Sequence, residues 1–260
     1  MQVDLTGRCA LITGASTGLG RAVAIRLAAS GANVAILARG AEALEATACD
    51  IRALGAGKVL TLACDVTDET AAKAAANNAA AAFGGIDILV NNAGSSARGP
   101  IEDLARDRLT EDLDLKLFAA IALTRHVVAG MKAQRWGRIL NTTAIVGKTP
   151  SAGSMPTSLS RAAGLAMTTA LAQELAPWNI LVNALCVGKI KSGQWERRHA
   201  ASSKTQSYDD FLRPVAETIP LGRLGEAEEF ANVACFLASD LASYVTGAAI
   251  NIDGGLCPVA

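Results

Sequence analysis

The chain predicts a single-domain, Rossmann-type α/β fold, a doubly wound parallel sheet with helices on both faces. Three observations lead there. Short apolar, β-rich runs alternate with longer Ala- and Leu-rich segments of helical spacing, the runs are apolar on consecutive residues, and the first strand-to-helix junction is rich in glycine. Strands that are apolar throughout are buried on both faces, as in parallel sheets between helix layers. A length of 260 residues suits one such domain, spanning residues 1–260.

In chain order, strands are expected at CALIT (9–13), NVAIL (33–37), KVLTLAC (58–64), IDILV (86–90), GRILNT (137–142), NILVNAL (179–185) and AAINI (248–252). Helical spacing marks RAVAIRLAAS (21–30), KAAANNAAAAF (73–83) and RAAGLAMTTALAQEL (161–175), with right-handed crossovers between strands. One long polar interruption, about 186–225, follows a strand's C-terminal end and carries Trp195 and Tyr208. In such folds that is the position of a lid or substrate loop.

Composition narrows the function. Lys plus Arg equals Asp plus Glu at 24 each, so no global field draws in nucleic acid or an anionic membrane. With no apolar run of spanning length and no leader-like start, a cytoplasmic protein is expected. The six cysteines are scattered without a C-x-x-C pair and read as small buried hydrophobes. His126 and His199 are the only histidines, and no metal-ligand pattern is visible.

The junction TGASTGLG places Gly14, Gly18 and Gly20 after an apolar run and before an amphipathic helix, with Ser16, Thr17 and Leu19 between them. Glycines there permit positive φ and close backbone approach, so a diphosphate can sit against a helix N-terminus. The second strand ends in ILAR, where Ala38 supplies no acid for a ribose 2′-hydroxyl and Arg39 follows. Arginine pairs well with a 2′-phosphate, so NADP(H) is favoured over NAD(H).

With ACDVTD (63–68), VNNAG (90–94), NILVNALCVGKIKSG (179–193) and the segment 219–255 added in order, the chain resembles the short-chain dehydrogenase/reductase family over nearly its whole length. The resemblance implies that Gly14, Gly18 and Gly20 line the diphosphate, with Ser16, Thr17 and Leu19 also binding the cofactor, and that Asp65 and Val66 lie near the adenine. It implies that Asn91, Ala93 and Gly94 follow the adenine ribose, and that Gly188, Ile190 and Ser192 meet the carboxamide and phosphate. A homodimer or homotetramer acting on a small-molecule substrate of unread identity follows by the same analogy.

The family's chemistry is a different matter. Its usual proton donor is a tyrosine with a lysine four residues on, a serine on the neighbouring strand and an asparagine in the preceding helix. Counting from GRILN, those positions hold Thr157, Arg161, Ala144 and Lys116. Threonine is a far weaker acid than a phenol, arginine binds without releasing a proton, and alanine offers no hydrogen bond to a carbonyl. Lys116 is expected to project toward the vacated space, with its pKa lowered by Arg161. Two readings stay open: an oxidoreductase using Lys116, Arg161 and Thr157 on an acceptor that needs little acid help, such as an iminium or activated alkene, or a catalytically inactive dinucleotide-binding sensor or structural partner of an active relative.

Overall fold

The structure is a computed structural model that describes residues 2–202 and 206–259. Seven strands, β1 (Cys9–Thr13), β2 (Asn33–Ala38), β3 (Val59–Ala63), β4 (Ile88–Asn91), β5 (Gly137–Ala144), β6 (Ile180–Val187) and β7 (Ala249–Ile252), form one parallel sheet in the order β3-β2-β1-β4-β5-β6-β7. The helices are α1 (Gly18–Ala29), α2 (Ala41–Ala53), α3 (Glu69–Phe83), α4 (Arg106–Leu113), α5 (Ala119–Gln134), α6 (Thr157–Leu175), α7 (Gly193–Ala201), α8 (Tyr208–Ala216) and α9 (Ala227–Leu237).

The consecutive apolar residues of each strand feed two cores. On one face Ala10, Ile12, Val34, Ile36 and Val90 pack against Val23 and Leu27 of α1, Leu44 of α2 and Phe230 of α9. On the other, Cys9, Leu11, Leu37, Leu89 and Ile139 pack against Ala72 and Ala76 of α3, Leu123 and Val127 of α5 and Leu175 of α6. Side chains alternate across the sheet with a period of two, so an unbroken apolar run is what two covered faces require.

Local signals set the helix ends. Asp68 caps α3 by accepting from the Ala71 N–H at 3.0 Å, and Gly84 ends it at φ 83°, a conformation glycine adopts without strain. The expected strand at 137–142 runs on to Ala144, and that at 179–185 shifts to end at Val187, because Thr143 pairs with Cys186 and Ala144 with Val187 in the β5/β6 ladder. All six cysteines are free, and the expectation that all are buried is corrected at two: Cys49 is exposed on α2 and Cys257 half-buried near the C-terminus. No described helix is long and apolar enough to cross a membrane.

After β3 at one edge the chain returns to the middle of the sheet, placing β4 beside β1. This reversal opens a crevice at the C-terminal ends of β1 and β4, where open α/β sheets bind ligands.

Candidate active site

At the crevice the glycine turn is tied to the start of the β4 loop by Thr13 and Asn92. The Thr13 hydroxyl accepts from the N–H groups of Asn92 and Ala93, both at 2.9 Å, while the Asn92 amide donates to the carbonyls of Thr13 at 3.0 Å and Gly14 at 3.2 Å. Gly14 and Gly18 take φ of 64° and 56°. Gly20 has an ordinary helical backbone, yet a Cβ there would stand 2.2 Å from the Gly14 carbonyl oxygen. The helix therefore presses directly on the turn.

The residues present suit a dinucleotide. Thr17 at the start of α1 makes no side-chain cap, and neither does Ser192 at the start of α7, so both leave first-turn N–H groups available to an anion. The two helix starts converge: a Cβ on Gly18 would lie 3.8 Å from that of Ser192. A cleft of about 970 Å³ runs from this point past Gly94 and Thr142–Ile145 to Lys189 and α7. Its ionisable lining groups are all cationic: Arg98, Arg161, Lys189, Arg197 and Arg198.

Of the residues singled out in the sequence, Gly14, Thr17, Gly18, Leu19, Gly94, Thr157, Arg161, Gly188, Ile190 and Ser192 line this cleft. Val66, Asn91, Ala93 and Lys116 instead surround a separate space of about 10 Å³, roughly the size of one water. Ser16, Gly20, Arg39 and Asp65 line neither. Arg39 is exposed at the end of β2 and belongs to no ion pair among the described residues. Asp65 is exposed beyond β3, its carboxylate held below the usual range first by the Thr67 N–H, then by the Thr67 hydroxyl, with a smaller effect from Arg39.

Lys116 lies in a turn of π-helix, Asp114–Phe118, set between α4 and α5. Such turns re-aim a side chain and recur at functional sites. Its ammonium is fully shielded from solvent, donating to Asp112 Oδ1 and, at 3.0 Å, to Thr157 Oγ1. The other Asp112 oxygen accepts from Ser160 Oγ at 2.6 Å. Burial, then the charge of Arg161, pull the Lys116 pKa down to about 8 against the opposing pull of Asp112. Lys116 thus points toward Thr157, at the position where the family holds its tyrosine, but does not itself line the cleft, which Thr157 does.

Thr157 has its full hydrogen-bond complement. Its hydroxyl donates to the Ala97 carbonyl at 2.8 Å and accepts from the Ala97 N–H at 2.9 Å and from Lys116. It thus pins the loop after β4 to the start of α6. Arg161, one turn along, donates to the Thr142 carbonyl at 2.5 Å, and its Nη2 would lie 2.8 Å from a Cβ on Gly94. Its buried Nε has no partner, and burial lowers its pKa to about 10. Ala144 ends β5 at the cleft wall.

The interruption after β6 forms α7 and α8, with Ser203, Lys204 and Thr205 outside the described residues. Trp195 lines the cleft as expected of a lid residue. Tyr208 does not: it meets His199 edge-on at 5.4 Å and joins Leu212 and Phe211 in a small core that holds α8 against α7. Asn92, Asp112 and Ser160 were not singled out in the sequence. The second asparagine of VNNAG and the Asp112/Lys116 spacing of four were the available signals, whereas Ser160 had none.

The family profile described as Enoyl-(Acyl carrier protein) reductase matches residues 14–257. A 3-oxoacyl-(acyl-carrier-protein) reductase of Aquifex aeolicus is 36% identical over 98% of this chain and 100% of its own. Among solved structures, L-sorbose reductase from Gluconobacter frateurii, complexed with NADPH and L-sorbose, matches with a TM-score of 0.96 and 32% identity over all of both chains. An NAD⁺-bound xylitol dehydrogenase matches with a TM-score of 0.87 and 31% identity, over 96% of this chain and 99% of its own. With the glycine turn at the sheet's switch point and likeness of this extent, the chain belongs to the short-chain dehydrogenase/reductase family of oxidoreductases.

Proposed function

We propose that the protein is an NADP(H)-dependent oxidoreductase with a non-standard proton donor. The observation that carries this reading is the hydrogen-bonded series Asp112, Lys116, Thr157, which ends at the cleft where a dinucleotide's nicotinamide would lie. Bound there, the reduced nicotinamide supplies a hydride. The chain's own part is to orient the acceptor and to deliver a proton. The Thr157 hydroxyl turns from the Ala97 carbonyl toward the reduced substrate, gives up its proton and takes one from the Lys116 ammonium. A donor with a pKa of about 8 is matched to that task near neutral pH, and a threonine alone is not. Arg161, charged throughout, stabilises negative charge developing on the acceptor. An activated alkene suits such a site, since hydride addition leaves an enolate whose negative charge Arg161 can stabilise and which takes its proton from Thr157.

Turnover tests the reading. NADPH oxidation is measured over carbonyl, iminium and enoyl acceptors, with Lys116→Met and Thr157→Val beside the wild type. Reduction by the wild type is expected to fall as pH rises through about 8, as Lys116 loses its proton. Lys116→Met is expected to be slower by about 10²- to 10⁴-fold, without that pH dependence. Turnover that is indifferent to both substitutions contradicts the relay.

The cofactor preference rests on Arg39, exposed beside the crevice with no acid on its own strand end. Arg39→Ala is expected to weaken NADPH binding by about 10-fold or more and to leave NADH binding unchanged, a charged hydrogen bond being worth about 1.5–3 kcal/mol. Cofactor fluorescence on binding reads both affinities. A second reading, a non-catalytic dinucleotide sensor, is favoured by the satisfied Thr157 hydroxyl and the sealed Lys116. It predicts tight NADPH binding with no turnover on any acceptor.

A further inference from the structure

The cationic lining of the cleft exceeds what a dinucleotide requires. Along the sheet's C-terminal edge the order is β1, β4, β5, β6, and the segment after β6 leaves the sheet at Gly188 and comes back to the glycine turn at Ser192. Diphosphate and 2′-phosphate belong to the β1 and β2 end. Arg98 and Lys189 lie away from it: Arg98 is held by a bridge to Pro156 and donates to Ser151 Oγ at 3.0 Å, and Lys189 follows Gly188 beyond β6. Both line the cleft, and each has only a neutral hydroxyl as side-chain partner, Lys189 donating to Thr218 Oγ1 at 2.7 Å. Among the described residues no Asp or Glu lines the cleft and neither cation belongs to an ion pair.

Resting on the oxidoreductase reading above, we infer that the substrate is an apolar carboxylic acid whose carboxylate is bound between Arg98 and Lys189. Two like charges facing one cleft without a counter-ion repel each other, and the charge of Arg98 indeed depresses the Lys189 pKa, second to burial. A carboxylate placed between them removes that repulsion and accepts charge-assisted hydrogen bonds from both. Val146 and Trp195 line the same cleft and give the remainder of the molecule an apolar surface. The carboxylate is thereby held at the β6 end, leaving the reacting atoms to lie toward Thr157 and Arg161. Loss of Arg98 should change substrate affinity without touching the dinucleotide, because Arg98 lies neither at the glycine turn nor in the segment from Gly188 to Ser192.

Calorimetry tests the inference with phenylpyruvate and cinnamate as probes and their methyl esters as controls, each titrated into the protein alone and into the protein with NADP⁺. The acids are expected to bind at least about 10-fold more tightly than the esters. Arg98→Ala and Lys189→Ala are each expected to remove that margin, Arg98→Ala with NADP⁺ affinity unchanged, and Arg98→Lys to retain part of it. Esters that bind as well as the acids, acids that bind neither form of the protein, or acid binding indifferent to both alanine variants overturns the inference. Acid binding that depends on Arg98 in a protein that does not take NADP⁺ upholds the carboxylate site and rejects the oxidoreductase reading.

Discussion

Asp112→Ala is expected to destabilise the fold by about 3–5 kcal/mol, the usual cost of removing one partner from a buried ion pair. Asp112 is the sole carboxylate bound to Lys116 among the described residues, and its second oxygen holds Ser160. Its loss leaves an ammonium buried beside the Arg161 guanidinium with only Thr157 to receive it. For a chain of this size the melting temperature should drop on the order of 10 °C. Denaturant unfolding of Asp112→Ala, Lys116→Met and the double variant separates the terms. The double variant should be more stable than Asp112→Ala, since no unpaired charge remains inside. A double variant as unstable as the two single effects summed would show that the ion pair is not what holds this region.

Gly20→Ala should be the most damaging single change to the dinucleotide crevice. Alanine suits a helix better than glycine, so propensity alone favours the substitution. Packing decides the other way. The new methyl would stand 2.2 Å from the Gly14 carbonyl oxygen and 2.5 Å from Asn92 Nδ2, and the first of these is backbone that cannot rotate aside. Relief requires α1 to lift away from the turn, at a cost of about 1–3 kcal/mol in stability. NADPH affinity should fall by at least about 10-fold, because the first-turn N–H groups move with the helix. At Gly18 the nearest atom to a new Cβ is 3.8 Å away, so Gly18→Ala meets backbone strain and no clash. Unfolding curves and cofactor titrations on the two variants should therefore rank Gly20→Ala as the worse. The reverse ranking would mean that positive φ, and not helix contact, sets the shape of the turn.

The sheet was legible because its signal is local and redundant. Each strand is an apolar run, and each run is separated from the next by helical spacing or by glycine. The glycine turn was legible for a similar reason: Gly14, Gly18 and Gly20 lie within seven residues of one another. The candidate site was less so. Lys116 was noticed as a residue type, but its concealment depends on a π-turn that no sequence pattern announces and on Asp112 and Ser160 arriving from two helices. Thr157 looked like a depleted acid, whereas its three hydrogen bonds make it the pin between the β4 loop and α6. The cationic cleft was invisible in a chain of zero net formal charge, because Arg98, Arg161 and Lys189 are far apart in sequence and meet only after folding.

A calorimetric titration of the purified, folded protein with NADPH, repeated with NADH, tests the central claim most directly. The paired helix starts, the uncapped first turns and the exposed Arg39 predict one site per chain with NADPH bound more tightly than NADH. A folded protein that binds neither dinucleotide would contradict the account, and would leave the glycine turn as a shape without a ligand.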